Sequence, residues 1–323
     1  MVSSYWSFRL NLVCLLFSTV FFTSPLLADS ALVRQVLKSD LLTQSLLLDI
    51  TTAGERLVAV GERGHIIYRD PNKAWQQAEV PVTSQLTGVY FPTPSLGFAV
   101  GHEAMILRSK DAGASWQLIH HDAEEAPLLD IYFTSENTGF AVGGYGLLLA
   151  TNDSGNTWQN LTDELPNPDG NHNNAIIEDV AGNLFIAGER GSVYRSSDLG
   201  VTWQPLTLDY NGSIFGLVTT QAEQLIATGL RGNLFMSLDA GDSWQVLAHP
   251  GEQTLNTGLV LANNQLLLLG QNGEYLTGPA QALNLHTLPG RYSLLAAARQ
   301  GNQIIAVGRG GLHTLALPEA VGR

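Results

Sequence analysis

Four arginines of this 323-residue chain stand in short glycine-bounded turns. Arg63 lies between Glu62 and Gly64, Arg190 between Glu189 and Gly191, Arg231 between Leu230 and Gly232, and Arg309 before Gly310. A guanidinium is a planar, permanently charged fork suited to carboxylates and backbone carbonyls. Only 16 Lys and Arg face 29 Asp and Glu, so four arginines in one kind of turn form a concentration. Tyr145 and Glu189 occupy turns of the same kind. The pattern predicts a partner-binding face carried by Arg63, Arg190, Arg231, Arg309, Tyr145 and Glu189. Its plain alternative is a solvated rim in which each arginine pairs with a nearby glutamate. Its chemical alternative is glycoside hydrolysis, which needs arginines for a substrate carboxylate, a nucleophile pair and an acid. Arg63, Arg190, Arg231, Tyr145 and Glu189 fit the first two parts. No Asp in an early loop stands out as the acid. Adjacent loop residues such as His120, His121 and Asp122 rarely meet at one ion, and no spacing matches a ligand pattern, so neither metal nor cofactor is expected.

The elements that position these turns repeat along the chain. An apolar strand ends in glycine at Gly61, Gly101, Gly143, Gly188, Gly229, Gly270 and Gly308, at intervals of 38 to 45 residues. A second glycine follows three residues later in six copies, and Ala104 takes its place in the second. After a further short strand comes an Asp box, Ser/Thr-x-Asp-x-Gly-x-x-Trp. Its copies are Ser109-Asp111-Gly113-Trp116, Thr151-Asp153-Gly155-Trp158, Ser196-Asp198-Gly200-Trp203 and Ser237-Asp239-Gly241-Trp244. A worn copy, Asp70-Pro71-Asn72 with Trp75, lacks the glycine. Hydroxyl and carboxylate can bond backbone N–H groups inside a tight turn, glycine supplies its unusual backbone, and tryptophan supplies a ring to bury. The boxes are therefore structural. Four short strands per unit at a period near 40 predict an all-β, seven-bladed β-propeller of four-stranded antiparallel blades. The last unit has no room for a fourth strand, so residues 31–38 are expected to close the ring from the N-terminal side.

The expected organisation is a signal peptide over residues 1–28, a lead-in over 29–44, the propeller over 45–318 and a tail over 319–323. Arg9 precedes an apolar run from Leu10 to Phe22 that is short for a membrane span, and Ala28 ends a cleavage-like stretch. The sole cysteine, Cys14, would leave with that peptide, so no disulfide or thiol chemistry is expected. A net charge of −13 argues against nucleic acid and against anionic lipid as partners.

A signal peptide, seven blades, glycine-bounded turns and these boxes together resemble the Ycf48/Hcf136 family of photosystem II assembly factors, over essentially the whole mature chain. The boxes alone also occur in sialidases and other BNR-repeat proteins. The family resemblance implies a non-enzymatic scaffold that holds membrane-protein segments on an arginine-rich face. By position that face would be Arg63, Arg190, Arg231 and Arg309. It also implies export to the periplasm, or to the thylakoid lumen of a photosynthetic host, and a membrane protein complex as partner. Relatives met beside RND-type exporters make a transporter accessory the second reading. A sialidase-like hydrolase is the third, although the Arg-Ile-Pro stretch expected near the N-terminus of a sialidase is absent.

Overall fold

The computed structural model describes residues 41–316 except 222–223. The signal peptide, the strand expected over residues 31–38 and the tail lie outside the described residues. Each repeat becomes a meander of short strands, because glycines and box turns punctuate the apolar runs every few residues. The first blade runs Leu47–Ala53, Arg56–Gly61, Ile66–Arg69 and Gln76–Gln77. Five more four-stranded blades follow over residues 86–120, 128–160, 173–206, 214–246 and 255–287. The seventh has three strands among the described residues, 294–315. Blades six and seven form their sheets without a box.

A blade has two apolar faces and can bury them only against its neighbours, so the core is a set of wedges between blades. Blade seven meets blade one across Ala296, Ala298, Ile305 and Val307 against Leu47, Ile50, Leu57, Ala59 and Ile67, which closes the ring. Each innermost strand carries one register irregularity near its start. Polar side chains beside these irregularities stitch adjacent blades. Thr87 Oγ1 donates to Leu128 O at 2.7 Å, Asn174 Nδ2 to Ile214 O at 2.8 Å and Asn256 Nδ2 to Leu294 O at 2.7 Å.

The boxes form one repeated hydrogen-bonded turn. In the second blade Ser109 Oγ donates to Asp111 Oδ1 and accepts from Gly113 N, at 2.8 and 2.9 Å. Asp111 also accepts from Ser115 N and from Ser115 Oγ, at 2.9 and 2.6 Å. The box glycine, with φ of 84° at Gly113 and 83° at Gly200, lies against the sheet of the preceding blade. A Cβ on Gly113 would stand 2.9 Å from Val58, on Gly155 2.6 Å from Phe98, and on Gly200 in collision with the Phe140 ring. Trp116 and Trp203 are buried in the same wedges, while Trp158 is half-buried and edge-on to Phe133. Arginines of one blade then grip the box of the next. Arg56 donates to Ala112 O at 3.1 Å, Arg108 to Ser154 O at 3.1 Å and Arg195 to Ala240 O at 2.9 Å.

Two substitutions test this interlock. Trp116→Ala should lower the free energy of chemical unfolding by about 3–5 kcal/mol, the usual cost of removing a buried tryptophan. Gly200→Ala should cost about 1–3 kcal/mol through its left-handed backbone and the clash with Phe140. A neutral Gly200→Ala variant would show that the box does not seat on the neighbouring blade.

Candidate partner-binding face

The loop between the second and third strands of each blade shares a face with the segments that lead from blade to blade. In all seven blades the residue after the first turn glycine donates its N–H to the segment entering its own blade. Examples are Glu62 N to Leu46 O and Glu189 N to His172 O, both at 3.0 Å, and Arg309 N to Ser293 O at 3.2 Å. The closing glycine lies against the segment entering the next blade: a Cβ on Gly64 would collide with Val82 O and one on Gly191 with Tyr210 O. Each turn is thus pinned from both sides. The residue between them takes a left-handed backbone, with φ of 55° at Arg63, 52° at Tyr145, 54° at Arg190 and 57° at Arg231.

Arg63, Arg190 and Arg231 are exposed, and among the described residues no hydrogen bond or ion pair engages their guanidinium groups. The neighbouring glutamates are already committed to backbone: Glu62 accepts from Leu46 N at 3.1 Å and Glu189 from His172 N at 3.0 Å. The Arg–Glu rim weighed from the sequence does not form at these two turns. Arg309 is also exposed but sits one place earlier in its turn, where blades one and four have Glu62 and Glu189. Gly310 takes the left-handed position instead, with φ of 80°.

Tyr145, Glu189 and Arg190 meet at one cavity of about 430 Å³, lined also by His172, Asn211 and Leu230. Tyr145 is 73% exposed and edge-on to the His172 imidazole at 4.9 Å. The imidazole lies 4.0 Å from the Glu189 carboxylate. Arg231 follows Leu230 directly, so Arg190 and Arg231 flank one region in adjacent blades. Arg63 and Arg309 belong to blades one and seven, across the ring closure from each other, and neither lines this cavity. His121 is held by Glu103 at 3.1 Å, and burial lowers the pKa of His120. The geometry suits electrostatic capture of an extended segment, with exposed cations and an aromatic edge side by side.

Sequence reading missed two acids on the innermost strands. Asp49 Oδ2 accepts from Val89 N and Asp130 Oδ2 from Ile176 N, each at 2.8 Å and each reaching into the next blade. Each carboxylate also accepts the following backbone N–H, from Ile50 or Ile131. They keep partial contact with water but are surrounded by protein. Burial pushes Asp49 up to about 6 against the pull of its two N–H donors. Burial, with a smaller contribution from the Asp49 charge, pushes Asp130 up to about 7. Their signal was legible as the twin phrase Leu-Leu-Asp-Ile at 47–50 and 128–131, an acid inside an apolar strand.

The sequence profile of the family described as photosynthesis system II assembly factor YCF48 matches residues 68–307. The chain belongs to the YCF48 family. Two solved YCF48 structures share its fold. One, described as YCF48 bound to D1 peptide, superposes with a TM-score of 0.68 at 16% identity, covering 84% of this chain and 92% of that one. YCF48 from Cyanidioschyzon merolae gives a TM-score of 0.66 at 17% identity, over 87% and 97% of the two chains. Virginiamycin B lyase from Staphylococcus aureus superposes at 0.73 with 10% identity, over 87% and 97%. At these identities the likeness is one of fold. No curated protein sequence matches the chain.

The acids of the innermost strands and those of the boxes should give stability opposite pH dependences. Asp49 and Asp130 hold protons more tightly folded than unfolded, so their cost is absent below about pH 4 and fully felt above about pH 7. Hydrogen bonds from Thr202 and Ser243 first of all pull the box acids Asp198 and Asp239 down to about 2, so their contribution is present above about pH 4 and lost as pH falls toward 2. The melting temperature should therefore peak on the acid side of neutrality. Asp49→Asn with Asp130→Asn should flatten the decline between about pH 4 and 7 in a thermal series. An unchanged decline would remove these two acids as its source.

Proposed function

We propose that this chain is an exported, non-enzymatic scaffold that holds a segment of a membrane protein on its turn face during assembly of a photosystem II-type complex. The observation that carries the reading is the pair Arg190 and Arg231. They stand in adjacent pinned turns, exposed and unengaged among the described residues, beside a cavity bearing Tyr145 and Glu189. Membership of the YCF48 family and the D1 peptide on a solved family member support the same assignment. Rigid turns spare the protein the cost of ordering loops on binding, and guanidinium forks select carboxylates and carbonyls on the segment. Tyr145 supplies apolar contact at the edge of the charged region. Export follows from the apolar leader over residues 1–28, with the periplasm or a thylakoid lumen as destination. Among the described residues no helix is long and apolar enough to cross a membrane.

Crosslinking in the native cell, followed by purification and mass spectrometry, should recover subunits of the complex. Replacement of Arg190 and Arg231 together by Ala should leave the melting temperature unchanged and weaken binding of a D1 peptide at least tenfold. A double variant that melts early or precipitates would make these arginines part of the scaffold. A double variant that binds as well as the parent would move the partner elsewhere.

A further inference from the structure

The opposite face, where the boxes lie, opens at the junction of blades seven and one. In blades two to five the box glycine packs against the sheet of the preceding blade. Blade one carries the worn box, in which seven residues run from Arg69, at the place of the box hydroxyl, to Trp75, where an intact box runs eight from Ser109 to Trp116. With no glycine to insert and a shorter loop, the junction between blades seven and one stays open as a cavity of about 700 Å³. Its lining includes Arg69, Lys73 and Arg299 against the single carboxylate of Glu55.

Arg69 is the informative residue. In register it takes the place of the box residues Ser109 and Ser196, pairing with Leu57 as they pair with Gly97 and Leu184, while Tyr68 stands where Arg108 and Arg195 grip the next blade. In blade one that grip belongs to Arg56, which donates to Ala112 O at 3.1 Å. Arg69, one residue along the strand from Tyr68, reaches the opposite way, toward blade seven. Its Nε donates to Gln300 Oε1 at 3.1 Å, and its guanidinium lies 5.1 Å over the Trp75 ring. Gln300 Nε2 in turn donates to Glu55 O at 2.8 Å, which holds the two walls together. Arg299 uses its Nε on Gly301 O at 2.7 Å. Among the described residues, the terminal guanidinium nitrogens of Arg69 and Arg299 have no hydrogen-bond partner.

We propose that this junction is a second binding site, for a short acidic stretch of a protein partner, distinct from the turn face and independent of its assignment. Two guanidinium forks would take the carboxylates, with the exposed Lys73 ammonium, which pairs with Asp70 Oδ2 at 3.4 Å, beside them. Asn302 and Gln303, with the carbonyls of the flanking hairpins, would pair with the backbone of the stretch. In a chain of net charge −13 a local excess of cations also selects acidic partners by contrast with the repelling surface around it.

The full chain titrated with hexaglutamate, with hexaglutamine as control, tests the site through the fluorescence of Trp75 beneath Arg69. Hexaglutamate should bind saturably and hexaglutamine at least tenfold more weakly. Arg69→Gln with Arg299→Gln should weaken hexaglutamate binding at least tenfold, while Arg190→Ala with Arg231→Ala should leave it unchanged. Because Arg69 also bridges the ring closure, Lys73→Gln with Arg299→Gln serves as a second variant that spares the Gln300 bridge, and it should weaken binding at least fivefold. Wild-type affinity in both junction variants would overturn the proposal. So would loss of binding in the turn-face variant, or equal binding of hexaglutamine.

Discussion

The contact of each box glycine with the sheet of the preceding blade is the constraint on which the ring depends. A single four-stranded meander exposes too much apolar surface to stand alone, and only close stacking removes it from water. In blades two to five that stacking brings a backbone with no side chain to the point of approach. The buried hydroxyl of Ser109, Thr151, Ser196 or Ser237 and the box carboxylate hold the turn that presents that glycine. The buried tryptophans then fill the wedge beside it. Where the box is worn, in blade one, the same reasoning explains why a cavity replaces a contact.

Arginine serves two ends in this molecule, and position decides which. On the box face Arg56, Arg108 and Arg195 satisfy carbonyls of the next blade and are half-buried structural clamps. On the turn face Arg63, Arg190 and Arg231 sit on left-handed backbone held from two sides, with neighbouring glutamates already occupied by N–H groups. A charge that is fixed in place and left without an internal partner is available for an external one. That distinction ties the packing of the ring to its proposed work: rigidity comes from one face and recognition from the other.

The axis carries a different economy. Thr87, Asn174 and Asn256 join neighbouring innermost strands with neutral hydrogen bonds, whereas Asp49 and Asp130 do so with carboxylates that burial disfavours in their charged form. Two N–H donors per carboxylate offset part of that cost and leave the strands joined.

Repetition made most of the architecture legible in advance. Glycines at a period near 40, four strands per unit and the Ser/Thr-Asp-Gly-Trp order follow from backbone and turn chemistry that acts over a few residues, so the linear sequence determined the seven blades, the structural role of the boxes and the sidedness of turns and boxes. Blades six and seven shared the strand pattern without boxes and still form sheets, since the apolar runs and not the boxes define a blade. Tertiary structure decided what depends on partners distant in the chain. It split the arginines into clamps and unengaged cations, and gathered Tyr145, Glu189 and Arg190 around one cavity. It also turned Asp49 and Asp130 into inter-blade bonds and opened the junction beside Arg69. Each of these outcomes rests on which carbonyl or N–H a neighbouring blade brings within reach of a side chain, and that is fixed only when the ring closes.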